Sequence, residues 1–233
     1  MLFVAKPLII AHRGASAEKP ENTLAAFRRA LALGVDGIEL DVQLTRDGVP
    51  VVFHDATVRR LTGQPGRLRA QTWRALQKLR VRGTEPIPRL ADVLALVRGR
   101  AVVQIELKRG ATVGPVVQAV RRARAAEWVI LASFEPGLVR SAARLAPAIP
   151  RMLITEGREL PGKLLRRMAA LGAGGLSVNH RAVRSRAFVK AIQARGAVLW
   201  CWTVNRPVDG RRLAGWGVNG LLGDNPALLR RLI

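Results

Sequence analysis

The chain has 233 residues, 49% of them hydrophobic, with 39 Lys and Arg against 16 Asp and Glu, a formal net charge of +23. That much apolar material excludes intrinsic disorder despite the charge, and no apolar run reaches the roughly 18 residues that cross a bilayer. The single cysteine, Cys201, excludes an intrachain disulfide and a cysteine zinc cluster, and suits a reducing, cytoplasmic setting. From the N-terminus, apolar residues 1–10 are broken by Lys6 and Pro7, carry no basic lead and run into His12-Arg13-Gly14. They read as a first strand rather than a signal peptide.

Beyond that point short β-branched runs alternate with helical stretches. The predicted strands are 8–12, 37–42, 51–54, 101–108, 129–134, 151–154, 175–179, 198–203 and 219–223. The predicted helices are 22–33, 90–98, 115–126, 136–145, 161–172, 185–195, 207–215 and 226–232. In the first helix Asn22 can cap the first turn, Leu24, Phe27 and Leu31 share one face, Arg28 and Arg29 point away, and Gly34 supplies the stop.

Nine strands against eight helices leave one strand over, and its place is informative. Asp41 and His54 are joined through Thr45-Arg46-Asp47-Gly48, which is turn chemistry with no room for a crossover helix, so 42–54 reads as a hairpin. Without 51–54, eight strands each precede a helix, the pattern of a (β/α)8 barrel whose chemistry sits at the carboxyl ends of the strands. An open doubly wound sheet usually brings a Gly-rich phosphate fingerprint after strand one, and none is present here.

Acids are scarce, so their placement carries weight. In GIELDV, Glu39 and Asp41 project from one face, and in QIELK, Gln104, Glu106 and Lys108 do the same. Three carboxylates converging inside a barrel repel one another unless a cation holds them, and oxygen donors favour a hard divalent ion, Mg²⁺ or Ca²⁺, over zinc. The competing expectation is plain ion pairing, Glu106 with Lys108 or Arg13. Two of the three histidines end extended segments at the same rim: His12 closes strand one, and His54 closes the returning hairpin arm. Beside a bound metal they form an acid–base pair. His180 follows strand 175–179 with no motif around it. Arg13 and Lys108 place fixed positive charge there, which fits a phosphate ester, and a salt bridge from Arg13 to Glu21 or Asp55 is compatible with that role.

The segments AHRGASAEKPENTLAAF, GVDGIELDVQLTRDGVPVVFHDATVRRLTG, IPRLADVL, IELK, SFEP, WTVN and GVNGLLGDNP resemble, in order, the glycerophosphodiester phosphodiesterases, over essentially the whole chain. The resemblance implies one domain over 1–233, an α/β TIM barrel with a small insertion, 56–90, after the hairpin that follows strand two. It implies hydrolysis of glycerophosphodiesters to sn-glycerol 3-phosphate and an alcohol with one divalent cation. Carried over residue by residue, Glu39, Asp41 and Glu106 look like metal ligands, His12 and His54 like the acid–base pair, and Arg13 and Lys108 like phosphate contacts. Glu21, Asn22 and Asp55 take supporting or helix-capping places, and Phe134 and Trp202 line the pocket wall. Where the family usually reads GVDGIITD, Asn219 and Gly223 depart from it while Asp224 and Pro226 remain. That end of the barrel is expected to close the fold rather than perform chemistry. The family's IPTLEE becomes Ile87-Pro88-Arg89-Leu90-Ala91-Asp92, a place where head-group preference can shift.

Two rivals remain. A related phosphodiesterase acting on lysophospholipids, or stopping at a cyclic phosphate, would keep the barrel; a membrane substrate asks for exposed apolar loops, and the chain has no Tyr and five Phe. A nucleic-acid binder would use the +23 charge, but only 4% of residues are aromatic and the arginines are spread over most helices. The expected partner is therefore a small-molecule substrate with no specific nucleic acid, on a monomer or homodimer. The excess charge concentrates in 56–90, which carries nine basic residues and one acid, and there it would steer anionic diesters to the site.

Overall fold

Strand β2 (Gly37–Leu44) shows how the sequence makes the architecture. Ile38 and Leu40 face outward under the helices and Glu39 and Asp41 face the opposite way, yet all four are buried, so the strand must be covered on both sides. The computed structural model describes residues 6–108 and 113–233. Residues 1–5 of the predicted N-terminal strand region and 109–112 lie outside.

Among the described residues, eight parallel strands form the covered sheet: β1 (Leu8–His12), β2, β6 (Val102–Leu107), β7 (Val129–Ser133), β8 (Arg151–Thr155), β9 (Gly175–Asn179), β10 (Val198–Trp202) and β11 (Gly220–Gly223). Strand β1 pairs with both β11 and β2, which closes the barrel. The register sets Glu39 beside His12 and Gln104, and Asp41 beside Glu106. Strand β3 (Pro50–Val52) runs antiparallel to β2, the hairpin expected from its turn chemistry, and His54 lies just past it.

Helices α1 (Leu24–Ala32), α4 (Leu90–Val97), α5 (Val113–Arg122), α6 (Pro136–Leu145), α7 (Pro161–Ala170), α8 (Arg186–Gln193), α9 (Pro207–Trp216) and α10 (Pro226–Leu232) ring the barrel. Four of them begin with proline, whose missing N–H costs nothing in a first turn. Their apolar faces pack on the outward residues of the strands; Phe27, Leu40, Val93, Ile105 and Val117 belong to one such cluster. Each fully buried side chain of this kind contributes about 1.5–3 kcal/mol. Inside the barrel Ile10, Met152, Ile154, Trp200 and Leu222 form a separate cluster. Gly220 makes room for it, since a Cβ there would lie 2.7 Å from the Trp200 ring and 2.8 Å from Ile10.

One local expectation is corrected. The cap of α1 is Thr23, whose hydroxyl accepts from the Ala26 N–H at 3.2 Å. Asn22 precedes it with φ 57°, a left-handed conformation that Asn tolerates, and its amide is turned to Asp41.

Between His54 and α4 the chain builds a small unit of its own from α2 (Arg59–Thr62), α3 (Trp73–Leu76) and the antiparallel pair β4 (Arg80–Val81) and β5 (Glu85–Pro86). Val58, Leu61, Leu68, Leu76, Val81 and Ile87 gather with Val51 and Phe53 in one apolar cluster, which fixes the unit over the hairpin. No helix among the described residues is long and apolar enough to cross a membrane.

Candidate active site

The carboxylates predicted to converge do so. Oxygens of Glu39, Asp41 and Glu106 lie within 4.8 Å of one another, and all three residues are buried. Burial, then repulsion from Asp41, pushes Glu39 up to about 7 and Glu106 up to about 8. Asp41 goes the other way: burial would raise it, but Lys108 and Arg13 hold it below the usual carboxylate range. Glu39 and Glu106 are therefore the two carboxylates whose ionised form the buried site least supports without a further cation. An all-oxygen, buried set of this kind fits a hard divalent cation.

The ion pairs considered as an alternative are present as well. Lys108 Nζ reaches Glu106 at 2.5 Å and Asp41 at 2.9 Å, and Arg13 Nε lies 3.4 Å from Asp41. They bind the carboxylates without making them neutral as a set. Arg13 turns at φ 56°, an arrangement costing of order 1 kcal/mol, which lets its backbone N–H donate to Glu39 at 3.0 Å while its guanidinium donates to Glu21 at 2.9 Å. Of the two alternative partners expected for Arg13, Glu21 is the one it meets, and Asp55 accepts from Arg60 at 2.5 Å. Arg60 also donates twice to Glu21, at 2.8 and 2.9 Å, so a residue of the small unit ties Glu21 and Asp55 together. Asn22 donates to Asp41 at 2.8 Å and accepts from its backbone N–H at 3.3 Å.

Both rim histidines are tethered in the same way. His54 Nδ1 lies 2.7 Å from Asp55, and His12 Nδ1 lies 2.7 Å from Asp224. A carboxylate at Nδ1 fixes the proton there and leaves Nε2 for the cavity. For His12, burial disfavours the charged form but the Asp224 bond and Glu39 outweigh it, and the pKa is raised; His12 Nε2 is 4.0 Å from Glu39. For His54, burial prevails over Asp41 and the pKa is lowered.

Asp224 corrects the expectation that the β11 end only closes the fold. It also accepts from Asn205 at 2.6 Å and Ser16 at 3.2 Å, so the WTVN and GDNP segments meet behind His12. The signal was available: Asp224 directly follows a strand at the chemical rim, the criterion that selected His12. Sequence reasoning also missed Gln43, whose Nε2 lies 2.9, 3.1 and 2.7 Å from the carbonyls of Phe53, His54 and Asp55 and pins the chain that carries His54.

A cavity of ≈ 210 Å³ is lined by His12, Arg13, Glu39, His54, Glu106 and Lys108 on one side and by Phe134, Ile154, Glu156 and Trp202 on the other. Phe134 and Trp202 meet edge to face, ring centroids 5.6 Å apart. His180 is not part of this lining; its Nε2 lies 3.8 Å from Asp209 on α9.

Fold and site together describe a phosphate-ester hydrolase built on a TIM barrel. The model of the glycerophosphoryl diester phosphodiesterase family matches residues 12–228, and the chain belongs to that family. It is 36% identical to a glycerophosphodiester phosphodiesterase of Caldanaerobacter subterraneus subsp. tengcongensis, over 98% of each chain. Among solved structures it resembles the Oleispira antarctica phosphodiesterase in complex with its product sn-glycerol-3-phosphate, with TM-score 0.90 and 26% identity over 97% of this chain and 96% of that one. The Thermotoga maritima glycerophosphodiester phosphodiesterase superposes with TM-score 0.86 at 26% identity, over 98% and 100% of the two chains.

Proposed function

We propose that the chain hydrolyses glycerophosphodiesters to sn-glycerol 3-phosphate and an alcohol, with one divalent cation, Mg²⁺ or Ca²⁺, and with His12 and His54 as the acid–base pair. One observation carries the reading: two imidazoles, each tethered through Nδ1 to a carboxylate, line a single cavity with Glu39 and Glu106 of the buried three-carboxylate cluster. Family membership supports the reaction, and sn-glycerol-3-phosphate is the bound product in the Oleispira relative.

Glu39, Asp41 and Glu106 would hold the cation, which supplies charge to neutralise a phosphoryl oxygen and acidify a nearby hydroxyl or water. Arg13 and Lys108 bind the remaining phosphoryl charge. One imidazole takes the proton from the attacking oxygen, and the other gives a proton to the leaving alcohol oxygen as its bond to phosphorus breaks. When the neighbouring glycerol hydroxyl attacks, a cyclic phosphate forms, and water opens it with the two imidazoles exchanging roles. Asp224 and Asp55 keep the rings in the tautomer this needs, Asn22 and Glu21 hold Asp41 and Arg13, and Phe134 and Trp202 form the opposite wall.

The basic small unit is part of the reading. Arg67 and Arg69 line an open cleft of ≈ 760 Å³ together with His54 and Lys108, a position from which they would draw in anionic diesters. The cytoplasmic setting in this reading rests on cysteine usage alone, a single cysteine that forms no intrachain disulfide. Release of sn-glycerol 3-phosphate from glycerophosphocholine and glycerophosphoethanolamine tests the proposal. Loss of turnover in EDTA with recovery on Mg²⁺ or Ca²⁺ supports it; turnover indifferent to EDTA, or none on either diester, sinks it.

A further inference from the structure

The active-site cavity is electrically polarised, and only one half of it has been used. Arg13, Lys108 and the carboxylate cluster occupy the β2 and β6 side, where a phosphodiester anion belongs. The facing wall, built from the ends of β7, β8 and β10, offers the cavity no basic residue among the described residues; it carries Phe134, Trp202 and the carboxylate of Glu156 over an apolar floor of Ile154 and Leu222. In a chain with 39 basic residues and 16 acids, an acid among aromatics beside the catalytic groups stands out chemically.

Glu156 is exposed and held in place from one side only. Asn179, at the end of β9, donates to its Oε2 at 2.9 Å, which leaves Oε1 with no hydrogen-bond partner among the described residues. Phe134 is 38% exposed, and its edge-to-face contact with Trp202 makes an aromatic corner with open ring surface. Aromatic faces and a carboxylate are what an alkylammonium group seeks, the rings through their quadrupole and the acid through charge. Beyond Glu156 the surface turns basic again: a second cleft that shares Glu156 is lined by Arg158, Arg181 and Arg184, and its other acid, Glu159, is paired with Lys163 and Arg167. Room for positive charge on the ligand therefore ends at Glu156, which limits it to one small cationic group.

Resting on the function proposed above, we propose that Phe134, Trp202 and Glu156 form a head-group subsite that selects diesters whose alcohol carries an ammonium, primary or quaternary, over diesters with an uncharged alcohol. The substrate is then a zwitterion whose anionic and cationic ends match the two walls. Glu156 is a specificity residue here and takes no part in moving protons.

The test compares glycerophosphocholine with its uncharged isostere, in which 3,3-dimethylbutanol replaces choline. The cation-replete wild type should prefer the choline diester in kcat/KM by about tenfold, the size expected of one partly exposed cation–aromatic contact with one exposed ion pair. Glu156→Gln should reduce that ratio to about threefold or less, and Glu156→Lys should abolish or invert it. A second readout needs no turnover: by calorimetry, choline phosphate should bind more tightly than 3,3-dimethylbutyl phosphate to the wild type, and the difference should shrink in Glu156→Gln. Equal kcat/KM for the two diesters in the wild type, or a Glu156→Gln loss equal on both, overturns the subsite. Failure to cleave either diester while the choline phosphate preference holds overturns the proposed reaction and leaves the subsite standing.

Discussion

The two rim histidines present one chemical arrangement built in two ways. His54 takes its carboxylate from the next residue, Asp55, on a segment that is half exposed and steadied by Gln43 and Arg60. His12 takes its carboxylate from Asp224, 212 positions away, where β1 meets β11, and its imidazole sits deeper than that of His54, 16% against 33% exposed. A tether from a neighbouring residue survives local motion because the chain itself keeps the partner close. A tether across the barrel seam exists only while the seam is closed, so it reports on the whole fold.

The largest effects should come from removing either ring. His12→Ala and His54→Ala are each expected to lose at least ~10²-fold in kcat, measured by sn-glycerol 3-phosphate release, within the range of acid–base catalysis. Near-normal turnover in one of them would break the symmetry of the pair. The tethers should then separate the two sites. Asp224→Asn is expected to cost about 10- to 100-fold in activity and Asp55→Asn about tenfold or less, as for partners that orient groups in a metal site. Asp224 raises the His12 pKa, so in Asp224→Asn the limb of the pH–rate profile belonging to His12 should move to lower pH. An equal loss in both variants would show that the span of the tether across the barrel seam is irrelevant.

Cation binding should respond to pH with a definite sign. In the cation-free fold Glu39 and Glu106 titrate at about 7 and about 8, both above their ordinary value of 4.5. Their protonated forms favour the fold below that ordinary value, and this stability is lost as pH rises through 7 to 8. A cation binds the ionised forms, so the increase in Tm on adding Mg²⁺ or Ca²⁺ should be larger at pH 8.5 than at pH 6. Calorimetry near pH 7 should show proton release on binding. A Tm increment independent of pH would contradict the cluster as cation site. The smallest effect is expected at the exposed side: Arg67→Gln with Arg69→Gln should lower kcat/KM several-fold at low ionic strength, and the difference should vanish in high salt.

Much of this site was legible before the fold. The period-2 pattern of GIELDV and QIELK put Glu39, Asp41 and Glu106 on shared faces, and strand ends singled out His12 and His54. Turn chemistry at 45–48 gave the hairpin. Short-range ambiguity limited the rest: Asn22 and Thr23 are both good caps, and the choice fell to Thr23 because the Asn22 amide is turned to donate to the buried Asp41 carboxylate. Gln43 in VQL reads as an ordinary polar strand residue until three carbonyls converge on it.

By itself, then, the sequence determined the alternation of strands and helices, the inward carboxylates and the rim histidines, because each depends on periodicity or on neighbours within a few residues. Only the tertiary structure decided that Asp224 stands behind His12, that Arg60 links Glu21 to Asp55, and that Glu156 shares a wall with Phe134 and Trp202. These placements bring together segments far apart in the chain, and they are set by the closed barrel and the small unit packed on it rather than by any local preference of the backbone.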